Sequence, residues 1–249
     1  MTLIANRLVK RTILLNRNLY MSYNSTIYNP IIGSNLGVPL NILQLLFTTT
    51  YYHENIITNQ LIFLQFALGI FTYGTDRLLD ASNYLKNNED LKKYTDKKID
   101  YYDFLNKRMN YNIFIIIVSY IYIFNLLIDN EETYPFLLVL TSTLFYRDIK
   151  KKFGELKALY IGILWTLGSV ILPCVIHDNN YEILNYPSIY IPSCLLMFGS
   201  SNMLDIKDIN EDREDGINTL PIKLGKDKSI LLTNTCFVLA VTIFTTNFI

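Results

Sequence analysis

Along the chain, stretches almost free of charge alternate with short, strongly charged ones. A helix rising 1.5 Å per residue needs about 17 to 21 mainly apolar residues to cross the hydrocarbon of a bilayer. Seven segments approach that pattern: 36–52, 59–75, 111–128, 134–146, 158–176, 187–204 and 229–249. The fourth is short and reaches full length only by running through the polar residues after Tyr146. A buried helical core in a water-soluble protein is the competing reading, because mean hydropathy is only +0.22 and several runs contain Asn, Gln and Thr.

The placement of basic residues separates the two. If the seven segments are threaded alternately from an inner N-terminus, the four cationic stretches (Arg7 to Arg17, Arg77 to Arg108, Arg147 to Lys157 and Lys207 to Lys228) all fall on one side, and together they hold all 22 Lys and Arg residues. The opposite loops, 53–58, 129–133 and 177–186, hold none. Sorting of this kind follows the positive-inside rule and has no counterpart in a soluble bundle. The expected fold is therefore all-α, a polytopic transmembrane bundle of about seven helices. It is multi-pass in the membrane, with the N-terminus on the positive, cytoplasmic or organelle-interior side.

Composition adds exclusions. With 51% apolar and 18% charged residues the chain is not disordered. Lys plus Arg equals Asp plus Glu, so there is no basic footprint for a nucleic-acid partner. Cys174, Cys194 and Cys236 are far apart and odd in number, which fits neither a disulfide framework nor a zinc site. The first acidic residue is Glu54, after four basic ones. Residues 1–34 thus read as a basic N-terminal arm or an organelle transit peptide, without a secretory signal, and an organelle membrane is one candidate location.

Acidic residues collect at two places, both at the inner end of an apolar run. Asp76 and Asp80 are four apart and share a helix face. Asp205, Asp208, Asp212 and Asp215 follow spacings of 3, 4 and 3, which on one continuous helix predicts a stripe within about 80°. Like charges about 4 Å apart repel by about 4 kcal/mol near a protein surface. Such a stripe is either a solvated helix end or a site where cations neutralise it. Two oxygen-only clusters on one membrane face point to Mg²⁺. An EF-hand is excluded because Arg213 stands where that loop needs Gly, and no GxxxxGK[ST], HExxH or GxSxG occurs.

The stretch from Asp205 to Gly225, DIKDINEDREDGINTLPIKLG, resembles the second aspartate-rich motif of the UbiA superfamily of intramembrane prenyltransferases. Asp76 and Asp80 match the last two positions of that family's NxxxDxxxD motif, with Thr72 in place of its Asn, and Tyr146 and Lys150 resemble its tyrosine and lysine after the fourth span. Gly154 and Lys157 continue the similarity. The resemblance implies a UbiA-like transmembrane prenyltransferase domain over residues 35–249, shortened relative to the family's usual nine helices.

It also implies Mg²⁺-dependent transfer of an isoprenoid chain from a prenyl diphosphate to a membrane-accessible, often aromatic acceptor. Asp76 and Asp80 would hold one ion and Asp208 and Asp212 the other, with Asp205 a further ligand or neighbour. Arg77, Lys150 and Tyr146 would meet the diphosphate, with Lys157 and Arg213 behind them and Asp215, Asn202 and Thr72 as further substrate contacts. Alternatives are a relative that cyclises its diphosphate substrate, or a non-catalytic scaffold or cation transporter descended from the fold. Transport favours acids at mid-membrane depth, which these clusters do not occupy.

Overall fold

The structure, a computed structural model, describes residues 41–46, 48, 57–86 and 96–246. The arm expected over 1–34 and most of the first apolar run lie outside the described residues, although 41–46 are helical. Among the described residues there is no strand, and eleven α-helices follow from residue 59 onward.

Helix α1 (Asn59–Lys86) starts where the Thr58 hydroxyl accepts the Leu61 N–H, the usual N-cap bond. It runs unbroken for 28 residues and packs along α3 (Met109–Ile128), with the charged α2 (Asp96–Lys107) folded against its inner half. Tyr102 and Leu105 of α2 bury beside Ile70, Leu78 and Ala81 of α1. After α3 come a short turn, α4 (Tyr134–Ser142), which carries Pro135 in its first turn, and α5 (Tyr146–Lys152).

Helices α6 (Lys157–Thr166) and α7 (Leu172–Asp178) are one rod joined by a π-helical turn, Leu167–Ile171. The Leu172 N–H reaches back to the Leu167 carbonyl and bypasses Gly168, whose freed carbonyl accepts a bond from Gln65 Nε2 of α1 at 3.2 Å. Pro173 follows at once, with a ring that crowds the carbonyl four residues earlier and no N–H to give it.

Helix α8 (Pro187–Lys207) packs against α6 on one side and α11 (Lys226–Thr246) on the other. Short α9 (Ile209–Glu214) and α10 (Leu220–Leu224) lie between α8 and α11. Gly162 lets α6 come close to α8: a Cβ there would stand 3.0 Å from the Cys194 carbonyl oxygen.

Large apolar side chains face outward as well as inward, and some small polar ones are buried. On α3 the exposed face is Phe114, Ile117, Val118 and Ile121, while Asn112 and Ser119 are buried. On α11, Leu231, Val238 and Val241 face out, and Ser229, Thr233, Cys236 and Ala240 face in. Apolar surface on this scale is costly in water and ordinary in lipid.

Three continuous helical stretches are long and apolar enough to cross a membrane: Met109–Ile128, Gly154–Asp178 and Lys226–Thr246. Of the remaining expected spans within the described residues, α1 and α8 carry charged and amide side chains toward their ends, and α4 has nine residues. At one end the lysine-free turns meet, where Asn130 Nδ2 donates to Asn179 Oδ1 at 2.7 Å and the Tyr181 hydroxyl donates to the Glu132 carbonyl.

Candidate functional site

A chamber of about 520 Å³ opens between α1, α4, α6 and α8. One end is lined by both acidic clusters: Asp76 and Asp80 from α1, Asp205 from α8, and Asp208, Glu211, Asp212 and Asp215 from the break after α8 and from α9. Arg77, Lys150, Lys151 and Lys157 line the same end. The other end is apolar, with Ile123, Leu127, Phe136, Leu140, Leu164 and Leu172, and Tyr160 and Trp165 stand on its wall. A volume of this size with one polar and one greasy end suits a small amphiphile.

The acidic stripe expected from the 3, 4, 3 spacing is not one helix. Helix α8 ends at Lys207, Asp208 leaves helical geometry at φ −97° and ψ 12°, and α9 begins at Ile209. All four aspartates still line the chamber. After α9, Gly216 takes φ +69° and the Ile217 N–H returns to the Asp212 carbonyl at 2.8 Å. Pro221 then starts α10, and Gly225 at φ +84° closes it. The glycines and proline of this stretch are thus what turns the chain back to α11.

Lysines from the neighbouring elements sit among these carboxylates. Lys157, buried at the start of α6, forms an ion pair with Asp205 and stands 3.8 Å from Asp212 Oδ2. Lys150 of α5 approaches the other Asp212 oxygen at 3.9 Å. Burial pushes the Asp212 carboxyl above the usual carboxylate range, and the two lysines pull it back. Gly154 sets the register: its absent Cβ would lie 2.7 Å from the Asn218 carbonyl oxygen, so the turn that delivers Lys157 presses directly on the loop after α9.

On the facing wall, the Arg77 guanidinium lies 5.1 Å from the Tyr73 ring centroid. Thr72 lines the chamber but turns its hydroxyl back to the Leu68 carbonyl at 2.7 Å. The Tyr146 ring stacks on Tyr160 with centroids 6.1 Å apart, and the Tyr160 hydroxyl is 3.0 Å from Ser142 Oγ.

Two of the sequence-derived candidates stand away from the chamber. Asn202 is fully buried on the opposite side of α8, where its Nδ2 donates to the Ser229 carbonyl at 3.1 Å and the Thr233 hydroxyl at 3.0 Å and so ties α8 to α11. Arg213 is exposed and does not line the cavity. Glu211, Tyr73, Tyr160 and Trp165 do line it, and the sequence reading had not placed them there. Glu211, three residues after Asp208, had carried a signal in its spacing.

Among the described residues, no three carboxylate, His or Cys groups converge tightly enough to hold an ion by themselves. The donor set nevertheless suits Mg²⁺, which takes one or two carboxylates and completes its octahedron with water and phosphate oxygens. Asp212 Oδ2, buried and without a hydrogen bond, has an acceptor site to offer.

Residues 150–249 match the VviA prenyltransferase family. No curated protein matches the chain. Among solved structures, the apo form of a UbiA homolog from Aeropyrum pernix K1 superposes with a TM-score of 0.55 at 18% identity, over 84% of this chain and 75% of that one. The chain thus shares the fold of a UbiA homolog over most of its length, and its C-terminal hundred residues are similar to a prenyltransferase family.

Proposed function

We propose that the chamber transfers a prenyl group from a prenyl diphosphate to an acceptor that reaches it through the membrane. The observation that carries this reading is the polarity of one cavity, with seven carboxylates and four cations at one end and apolar and aromatic walls at the other. The diphosphate belongs at the charged end and the isoprenoid tail at the apolar end, where each buried CH₂ contributes about 0.8 kcal/mol.

Aspartates alone repel a diphosphate. Asp76 and Asp80 on α1, and Asp208 and Asp212 beyond α8, are the residues that would hold Mg²⁺. When bound, the metal supplies Lewis-acid stabilisation of the leaving diphosphate and a template for its oxygens. Arg77 and Lys150 would meet the remaining phosphate oxygens, with the Tyr146 hydroxyl as a further donor, and all three line the chamber. The allylic C–O bond breaks with its electron pair leaving on the diphosphate. The carbocation is then captured by the acceptor, which loses a proton.

The apolar walls keep water from the cation, and the faces of Tyr160 and Trp165 stabilise positive charge. Lys157, committed to Asp205, acts as an internal counter-charge that keeps Asp212 in place. The helices traverse the bilayer several times within a single domain running from about residue 35, with the acidic clusters on the positive side.

Membranes containing the protein, given labelled prenyl diphosphates of several lengths with Mg²⁺ or with EDTA, test the reading. Release of diphosphate that requires Mg²⁺ and is lost in Asp76→Asn and Asp208→Asn is expected. Absence of release from every donor, also with a pooled set of aromatic and lipid acceptors and with the protein shown to be inserted and folded, rejects it.

A further inference from the structure

A second, smaller cavity of about 160 Å³ lies behind the apolar end of the chamber, lined by Pro135, Phe136, Val139, Leu167, Ile171, Tyr181 and Leu184. Two of these residues, Phe136 and Val139, also line the main chamber. They stand three apart on α4, hence on one face, and Phe136 is 5% exposed. The partition between the two cavities is therefore one side chain thick.

The opposite wall is shared in the same way. Around the π-helical turn, Gly168 and Leu172 face the chamber while Leu167 and Ile171 face the smaller cavity. The one polar lining residue, Tyr181, spends its hydroxyl on the Glu132 carbonyl and leaves its ring as wall, so the second cavity is greasy throughout.

We propose that Phe136, backed by Val139, is the residue that sets donor length in this protein: its ring ends the prenyl chamber, and the smaller cavity is the room a longer tail enters when that ring is removed. This rests on the proposed prenyl-transfer reading. The occupant is the terminal isoprene of the same donor, because the second cavity continues the tail end of the chamber through a shared wall. A tail stopped by the ring gains nothing from an additional unit. A tail that passes it gains the burial of several methylenes, each worth about fourfold in affinity, so that together they exceed tenfold.

The test measures both diphosphate release and equilibrium binding of unreactive prenyl thiolodiphosphates of increasing length, for the parent, Phe136→Ala, Val139→Ala and Phe136→Ala/Leu184→Trp, with folding followed by thermal unfolding in detergent. The parent should show a length beyond which affinity stops rising. Phe136→Ala should move that break to longer donors and raise the ratio of long- to short-donor kcat/KM by about tenfold or more. Val139→Ala should do so more weakly, and Leu184→Trp, which refills the outer cavity, should cancel the gain.

An unchanged break in folded Phe136→Ala and Val139→Ala overturns the proposal and leaves the outer cavity to a lipid acyl chain. If no variant releases diphosphate but the break still moves in the binding series, the transfer reading fails and the wall assignment stands. If the folded protein binds no thiolodiphosphate, both fall.

Discussion

The two acidic clusters face one chamber but are built in opposite ways. Asp76 and Asp80 sit on the straight, 28-residue α1, partly exposed, next to an arginine that lies over a tyrosine ring. Asp205 and Asp212 are buried across a helix break, and two lysines from other elements reach in among them. The first cluster limits repulsion by holding two carboxylates one turn apart near solvent. The second crowds its carboxylates and offsets the repulsion with ammonium groups supplied from α5 and α6. A divalent ion arriving at the second cluster thus meets carboxylates that share their charge with two lysines, while Asp212 Oδ2 keeps an open acceptor site.

The contrast is broken most forcefully at Lys157. Lys157→Met strands Asp205 as a buried carboxylate without its cation, and a loss of about 3–5 kcal/mol is expected in thermal or denaturant unfolding. Adding Asp205→Asn should recover most of it. Asp76→Asn should move stability by less than about 1 kcal/mol. Equal effects at Lys157 and Asp76 would mean the two clusters are not distinct.

Catalysis should make the opposite statement, treating the clusters alike. Asp76→Asn and Asp208→Asn are each expected to slow diphosphate release by about 10²- to 10³-fold at saturating Mg²⁺. A large effect at only one of them would confine the chemistry to a single cluster.

Gly154→Ala drives a methyl into the Asn218 carbonyl, so the Lys157 turn must back away from the loop after α9. About 1–3 kcal/mol of stability should be lost, together with a raised Mg²⁺ requirement for diphosphate release. Asn202→Ala removes two bonds to α11 and should cost about 1–2 kcal/mol while leaving the KM for the donor unchanged.

Much of this molecule was legible before its structure. The apolar runs at 111–128 and 187–204 correspond closely to α3 (Met109–Ile128) and α8 (Pro187–Lys207), because uncharged length is what specifies such helices. The run of Asp, Gly and Pro after Leu204 marked the second cluster, and those glycines and that proline do take the turn positions. What spacing could not reveal was the break at Asp208. A 3, 4, 3 pattern is as compatible with a long helix followed by a short one as with a single helix. Nor could it show that Asn202, one turn before an aspartate, points to α11, or that Lys157, expected as a diphosphate contact, is paired with Asp205. Those depend on contacts between residues 27 to 48 positions apart.

The wide turn at Leu167–Ile171 also works as a phase shifter. A bond that spans five residues instead of four takes up one residue more than the regular spiral does, so everything beyond it is out of step with α6 by one position. Deleting a single residue there would let the rod close into an ordinary α-helix with α7 left in its present phase, because the wide turn has already absorbed the extra residue. Closing the turn with every residue kept would instead swing α7 round by about 100° and carry Leu172 off the chamber wall. The wide turn is therefore what decides which face of the rod lines the greasy end of the cavity, without involving a charged group.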